Sequence, residues 1–130
     1  MKFALPLLIF SLLRVSLLAQ EATLEVYFGL NESSISYSED EKLQVWLGEF
    51  EDTLKRIELI GYTDFLASDE YNLRLSQERA ESVMAKIEAN PRVNYRMSLV
   101  SSKGEEFSTS NGSSDGIQSD RRVEIKILRK

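Results

Sequence analysis

Residues 57–89 read IELIGYTDFLASDEYNLRLSQERAESVMAKIEA, and two hydrophobic periods follow one another in this stretch. Apolar and polar residues first alternate, which predicts a strand that runs into Gly61. From residue 70 to residue 89 the apolar residues gather on one helical face, until Pro91 stops the pattern. The polar segment 62–69 lies between them. The stretch therefore predicts a strand, a connecting loop and a helix.

The sequence before this stretch predicts another strand and another helix. Residues 24–28 alternate, which indicates a half-buried strand. Ser38 and Glu41 form the capping-box pattern Ser-x-x-Glu, and residues 43–54 carry apolar side chains at helical spacing. This segment is therefore predicted to be an amphipathic helix that begins at Ser38.

The sequence after the long helix predicts two strands by alternation, over 93–99 and 123–127. A loop rich in Ser and Gly, residues 101–119, separates them, and its length fits either a functional or a mobile loop. The predicted order is strand, helix, strand, helix, strand, strand. We therefore expect an α+β fold, a two-layer βαβαββ sandwich with both helices on one sheet.

The first nineteen residues differ in kind from the rest. Lys2 precedes an apolar run over 3–13, and the segment ends at Ala19, an order typical of a secretory signal peptide. An uncleaved anchor is the alternative, but the predominantly apolar run over 3–13, which contains Ser11, is shorter than the about 20 residues that cross a bilayer. We therefore predict a signal peptide over 1–19, one globular domain over 20–130, and no stable membrane span after cleavage.

Charge and composition exclude several classes of function. Without residues 1–19 the chain keeps 14 basic and 21 acidic residues, so its net formal charge changes from −5 to −7. Nucleic acid requires a basic face, so it is not an expected partner. The absence of cysteine excludes disulfides, thiolate metal sites and a lipid-modified cysteine.

The absence of histidine removes the commonest general base and the commonest metal ligand, and with them any serine triad built on imidazole. We therefore expect no catalytic residue, metal ion or cofactor. Asp64, Asp69 and Glu70 lie close in sequence and offer paired carboxylates for glycoside cleavage. A solvated acidic loop explains the same residues more simply.

A more specific combination is Asp64 at the end of a strand with Asn72 and Arg79 on the following helix. Asn72 and Arg79 are seven residues apart, so they lie two turns apart on one side of the helix, at the border of its apolar face. We expect their polar heads to reach the mouth of a groove, in contact with both solvent and a ligand. An Asp64–Arg79 salt bridge that only ties the loop to the helix is the alternative.

Several separated motifs occur in a definite order along the chain. They are Ile60-Gly61-Tyr62-Thr63-Asp64, Tyr71-Asn72, Leu75-Ser76, Arg79-Ala80, Val83, Gly104-Glu105 and Asp120-Arg121-Arg122-Val123-Glu124-Ile125. This series resembles the signature of the OmpA-like peptidoglycan-binding domain, over about residues 24–127. The resemblance implies the OmpA-like fold and a domain that holds the peptide stem of peptidoglycan, commonly through its diaminopimelate residue.

The resemblance also implies which residues would bind the ligand. Asp64 would bind its ammonium group and Arg79 its carboxylate, a grip that a guanidinium can make bidentate. Thr63 and Asn72 would assist through hydrogen bonds. Arg121 or Arg122 matches the family's terminal arginines, and alternation along a strand is expected to send these two side chains to opposite sides.

Three residues depart from the family pattern. Tyr62 replaces a histidine, Ala67 replaces a loop glycine, and Asp120 replaces an asparagine. A glycine in such a loop often has a positive φ, which alanine adopts only at a cost of about 1 kcal/mol or more. Asp120 adds a negative charge near the proposed carboxylate site, where it either weakens binding or pairs with Arg122.

Together these features predict a periplasmic, wall-associated anchor or adaptor, placed by a partner protein of the envelope, for instance at the inner face of the outer membrane. Tyr37, Trp46 and Tyr95 are candidates for a partner surface, although core packing suits Trp46 better. The alternative function is a structural or regulatory interaction protein that keeps the fold but has lost wall binding.

Overall fold

The structure is a computed structural model that describes residues 20–106, 108 and 118–129. The predicted signal peptide 1–19 and, from the predicted loop, residues 107 and 109–117 lie outside the described residues, as does residue 130. The elements in chain order are β1 (Glu21–Tyr27), α1 (Tyr37–Leu47), β2 (Arg56–Tyr62), α2 (Asp69–Glu88), β3 (Ser98–Gly104), a 3-10 turn (Gln118–Asp120) and β4 (Arg122–Leu128).

The four strands form one sheet in the order β1-β4-β2-β3. β4 is antiparallel to both of its neighbours, whereas β2 and β3 are parallel. Both helices pack on the sheet, α1 against β1 and α2 against the other three strands. The predicted two-layer α+β sandwich is confirmed. Its core comprises Val26, Phe28, Leu43, Leu47, Leu54, Ile57, Leu59, Ala80, Val83, Met84, Ile87, Val123, Ile125 and Ile127.

A glycine sets the distance between α2 and β2. A Cβ atom added to Gly61 would lie 2.0 Å from the backbone oxygen of Ser76, far inside van der Waals contact. At the same crossing, the Ser76 hydroxyl accepts a hydrogen bond from the Gly104 nitrogen of β3 at 3.0 Å. Because the helix lies directly on the strand, side chains of its first half reach the end of β2.

The first helix begins two residues earlier than predicted. Its N-cap is Ser36, whose hydroxyl accepts a hydrogen bond from the Glu39 nitrogen at 3.2 Å. The capping-box prediction at Ser38 and Glu41 is therefore wrong, because the same Ser-x-x-Glu pattern occurs two residues before it. The Glu39 carboxylate accepts a hydrogen bond from the Tyr27 nitrogen at 2.7 Å and so ties α1 to β1.

The third strand lies later in the chain than predicted. β3 begins at Ser98, whereas Tyr95 forms only an isolated bridge with Leu54. Residues 101–104, predicted to belong to the loop, are the second half of the strand. The parallel register, in which Ile57 faces Ser98, determines this placement, because backbone pairing at a sheet edge requires no apolar alternation.

Within the described residues, no helix has the length and apolar character that crossing a bilayer requires. Of the three aromatic residues considered for a partner surface, only Tyr37 is exposed, at 84%. Trp46 and Tyr95 pack against the core, and Trp46 meets Phe50 edge to face with ring centres 5.2 Å apart.

Candidate functional site

One end of the sheet gathers buried charged and polar side chains, and we call it the site end. It is formed where β2 and β3 finish and β4 starts, with the first half of α2 across it. Five of the six predicted site residues lie together here, from three separate parts of the chain. They are Thr63, Asp64, Asn72, Arg79 and Arg121.

Arg79 is fully buried, with none of its surface exposed. Its guanidinium donates to three backbone oxygens: from Nε to Glu32 at 2.7 Å, from Nη1 to Tyr62 at 3.1 Å and from Nη2 to Gly29 at 3.0 Å. The guanidinium carbon of Arg79 lies 5.3 Å from the ring centre of Phe28. Arg79 therefore holds the loop after β1 against the end of β2.

The expectation that the Arg79 head meets solvent is wrong. The helical wheel gave the correct side of α2, but the loop that follows β1 covers the guanidinium. Burial lowers the pKa of Arg79 to about 10; the carboxylate of Asp64 opposes this shift and the positive charge of Arg121 adds to it. Arg79 remains a cation at neutral pH, and its role in ligand binding stays a prediction.

Asp64 pairs with Arg121. Nη1 of Arg121 donates to Oδ2 of Asp64 at 3.0 Å, and Nε of the same side chain donates to the backbone oxygen of Phe28 at 3.2 Å. The other carboxylate oxygen of Asp64 accepts a hydrogen bond from the Leu66 nitrogen at 3.2 Å. The closed pair that spacing suggested for Asp64 and Arg79 thus forms with an arginine 57 residues away.

Thr63 contributes a hydroxyl that is buried without a partner. The residue is 1% exposed, and its Oγ1 is the one buried side-chain oxygen or nitrogen among the described residues that makes no hydrogen bond. A buried hydroxyl without a partner costs about 1–3 kcal/mol, so a ligand that supplied the missing hydrogen bond would relieve this cost. Its position directly before Asp64 places this capacity next to the ion pair.

Asn72 connects the loop, the helix and the end of β3. Its amide nitrogen donates to the backbone oxygen of Ala67 at 3.1 Å and to the carboxylate of Glu105 at 2.9 Å. Glu105 is a residue of the site end whose role the sequence did not predict. The Gly-Glu motif at residues 104–105 was its only signal, and Gly104 has the positive φ of 56° that such a turn requires.

Arg122 lies on the other face of the sheet, as alternation predicts. Its guanidinium carbon is 4.1 Å from the ring centre of Tyr62, and its Nη2 pairs with Glu124 at 2.9 Å. Burial, reinforced by the nearby carboxylate of Glu124, raises the pKa of Tyr62. The tyrosine that stands in place of the family's histidine therefore packs under Arg122.

The other two departures from the family pattern are accommodated. Among the described residues, the one non-glycine residue with a positive φ is Asn31, so Ala67 carries no such strain. Asp120 is buried and lies 3.9 Å from Arg122, which agrees with the expected pairing of these two residues.

The paired-carboxylate alternative for glycoside cleavage has little support in the geometry. Asp69 and Glu70 are exposed in the first turn of α2, where a negative charge stabilises the helix N-terminus. Asp64 is buried against Arg121 instead. These positions fit the solvated acidic turn.

A polar cleft of about 230 Å³ adjoins the site end. It starts at Phe28, whose backbone oxygen binds Arg121, and it includes Gly29 and Glu32, whose oxygens bind Arg79. The N-terminal turn of α1 forms its opposite wall through Ser36 and Glu39. Asp64, Thr63 and Arg121 do not line the cleft, so the backbone of the loop after β1 lies between it and the buried charges.

The family model of the OmpA family matches residues 27–122. Similar solved structures include the OmpA-like domain of FopA1 from Francisella tularensis, with 15% identity, a TM-score of 0.68, and coverage of 84% of this chain and 73% of that one. The peptidoglycan-associated lipoprotein from Burkholderia pseudomallei has 22% identity and a TM-score of 0.55, with coverage of 80% and 87%.

The cell wall anchor of the T6SS from Pseudomonas aeruginosa has 21% identity and a TM-score of 0.55, with coverage of 85% of this chain and 82% of that one. A search of curated proteins finds no match. The identities to solved structures are low, so these likenesses concern the fold. The family model spans most of the described residues, and the chain therefore belongs to the OmpA family.

Proposed function

We propose that this domain binds the peptide stem of peptidoglycan non-covalently at the site end, through the zwitterionic head of a diaminopimelate-type residue. The observation that carries the proposal is the pair between the buried Asp64 and the partly buried Arg121, beside a Thr63 hydroxyl that has no partner among the described residues. A zwitterionic head presents an ammonium and a carboxylate, so it requires one anion and one cation a few ångströms apart. The site end offers both.

Binding exchanges one internal ion pair for two. The ligand ammonium takes the place of Arg121 at the Asp64 carboxylate, and the ligand carboxylate takes the place of Asp64 at the Arg121 guanidinium. Because each buried charge keeps a partner throughout, neither is left unpaired in a poorly solvated place. The Thr63 hydroxyl then gains the hydrogen bond that it lacks among the described residues.

Arg79 supplies positive charge from beneath this pair. A guanidinium has five N–H donors, of which three bind the oxygens of Gly29, Glu32 and Tyr62. Its charge attracts the ligand carboxylate, which Arg121 contacts directly, because the loop after β1 covers the Arg79 guanidinium. Asn72 assists through hydrogen bonds that fix the loop and Glu105. Arg122 is given no direct contact, because it lies on the other face of the sheet.

The comparisons support the ligand class. One similar structure is a peptidoglycan-associated lipoprotein and another is a cell wall anchor. OmpA-like domains are binding and anchoring domains, so the proposal assigns no reaction to this one. We place the protein in the periplasm as a wall-associated anchor or adaptor that acts with an envelope partner.

Sedimentation with purified sacculi tests the proposal. The wild type is expected to sediment with the wall, and Asp64→Asn to lose at least about tenfold in affinity, because it keeps the shape of the side chain but loses a charge-assisted bond. Asp69→Asn is the matched control, since Asp69 is exposed in the first turn of α2. It is expected to bind like the wild type.

The closed Asp64–Arg121 contact and the buried Arg79 favour one rival, a domain that keeps the fold but no longer binds the wall. A folded wild type that stays in the supernatant would support that rival and contradict the proposal. Muropeptide profiles after incubation address the enzyme alternative. They are expected to remain unchanged.

A further inference from the structure

The end of the sheet opposite the site end carries a cluster of basic side chains, which we call the basic end. Lys55 precedes β2, Arg96 precedes β3 and Arg129 follows β4. Together with Thr53, these three side chains line a cavity of about 280 Å³. Among the described residues, three cations and no acidic side chain line this cavity, although the chain as a whole has a net charge of −5.

The described lining of this cavity holds no acidic side chain, although the exposed Asp52 precedes Thr53 and the exposed Glu21 begins β1 at the same end of the sheet. Lys55 and Arg96 are exposed, and neither forms an ion pair within the part of the chain that the structure describes. Arg129 is half-buried, with its guanidinium carbon 5.6 Å from the ring centre of Phe50, so its position is fixed by packing. The cluster is therefore positively charged and partly preorganised.

The chain enters the domain beside the basic end. The Arg129 nitrogen donates to the backbone oxygen of Gln20 at 2.9 Å, and β1 begins at the next residue. The apolar run of the predicted signal peptide precedes Gln20 in the sequence. An uncleaved segment would bring a membrane to this end of the domain. Cleavage after Ala19 would instead add the positive α-ammonium of Gln20 to the cluster.

The two ends of the sheet face in opposite directions. Each strand has seven residues, which at about 3.3 Å per residue separates the ends by roughly 20 Å. A surface in contact with Lys55, Arg96 and Arg129 therefore leaves Asp64 and its cleft on the far side. The domain has the geometry of a spacer between two different structures.

We propose that the basic end binds the phosphate-bearing headgroups of an anionic lipid membrane. Clustered lysine and arginine side chains are attracted to such a surface, and this attraction acts over about a Debye length. The acidic remainder of the domain is repelled from the same surface, which orients the protein with its basic end toward the lipid. This proposal does not depend on what the site end binds.

Flotation with lipid vesicles tests the proposal on the exported protein, from which the predicted signal peptide 1–19 has been removed. The wild type is expected to bind vesicles of phosphatidylcholine with phosphatidylglycerol more tightly than vesicles of phosphatidylcholine alone, and to dissociate as salt is added. Each cation near an anionic surface contributes about fivefold in affinity, so Lys55→Gln with Arg96→Gln is expected to weaken binding about 25-fold.

The matched control is Arg74→Gln with Lys86→Gln, an equal change of charge at two exposed positions of α2. It is expected to stay within about twofold of the wild type. Equal losses in the two double variants, or equal binding to both kinds of vesicle, would overturn the proposal. Titration with inorganic phosphate separates the source of the anion: phosphate binding that requires Lys55 and Arg96, without any vesicle binding, would replace the membrane by a free anion.

Discussion

The two ends of the sheet differ in whether their cationic side chains are buried and paired. At the site end, Arg79 is fully buried and donates hydrogen bonds to three backbone oxygens, and Arg121 pairs with the buried carboxylate of Asp64. At the basic end, Lys55 and Arg96 are exposed and make no ion pair within the described ranges. Buried charge is costly unless it is paired, so its presence at one end indicates a built site.

From this difference we infer that the two ends of the sheet suit different ligands. A small zwitterion can replace partners that already sit at fixed distances, and that arrangement gives specificity. An extended anionic surface requires only several accessible cations on one face, and that arrangement gives orientation. Single substitutions at the site end, compared with control substitutions elsewhere in the chain, test this difference.

The largest effect is expected for Arg79→Lys. Lysine has no planar fork, so it cannot serve the oxygens of Gly29, Glu32 and Tyr62 together. Loss of two of three hydrogen bonds to a charged group should lower the free energy of unfolding by about 3 kcal/mol, measured by urea denaturation. Arg74→Lys, at an exposed position of the same helix, should change it by less than about 0.5 kcal/mol. Equal midpoints for both variants would show that Arg79 does not hold the loop.

Arg121→Gln is expected to reduce binding to sacculi at least about tenfold, because the ligand carboxylate loses its charged partner. Arg122→Gln is the matched control from the neighbouring position, and its side chain lies over Tyr62 on the other face. It should bind within about twofold of the wild type. A greater loss for Arg122→Gln than for Arg121→Gln would place the ligand on the wrong face of the sheet for this account.

Thr63→Val separates binding from stability. Valine has nearly the same shape and removes a hydroxyl that has no partner within the described structure, so the unfolding free energy should stay equal or rise by up to about 1 kcal/mol. Binding of a stem peptide should weaken about fivefold through the lost hydrogen bond. Thr53→Val at the basic end should leave that binding unchanged. Unchanged binding in Thr63→Val would remove the hydroxyl from the site.

The smallest effect is expected from pH. The chain has no histidine, and the pKa of Arg79 is lowered only to about 10, so binding to sacculi should be flat between pH 6 and 8. Because folding lowers this pKa, the cost of burying the charge is present at neutral pH and is relieved only above about pH 10. A tenfold change in binding across the neutral range would mean that another group controls the site.

Local periodicity was enough to predict the strand-loop-helix stretch over 57–89, because each element there has its own hydrophobic period and its own stop signal. It failed for β3, whose position follows from parallel pairing with β2. It also misplaced the first N-cap, since two overlapping Ser-x-x-Glu patterns precede α1 and only packing against β1 selects Ser36.

The sequence predicted which residues form the candidate site, but it did not predict how deeply they are buried. A helical wheel gives the direction of Arg79 but contains no information about the loop that covers it. The sequence also could not predict the partner of Asp64, because Arg121 is 57 residues away and only the folded sheet brings the two residues together. The basic end had no sequence signal at all, since its three cations come from separate strand ends.

Calorimetric titration with two stem peptides tests the site end most directly, one containing diaminopimelate and the other lysine at the same position. Lysine keeps the side-chain ammonium but lacks the carboxylate that Arg121 and Arg79 would bind. We predict that the diaminopimelate peptide binds at least about tenfold more tightly and that its affinity falls as salt is added. Equal affinities, or an affinity indifferent to salt, would contradict the charge-pair account.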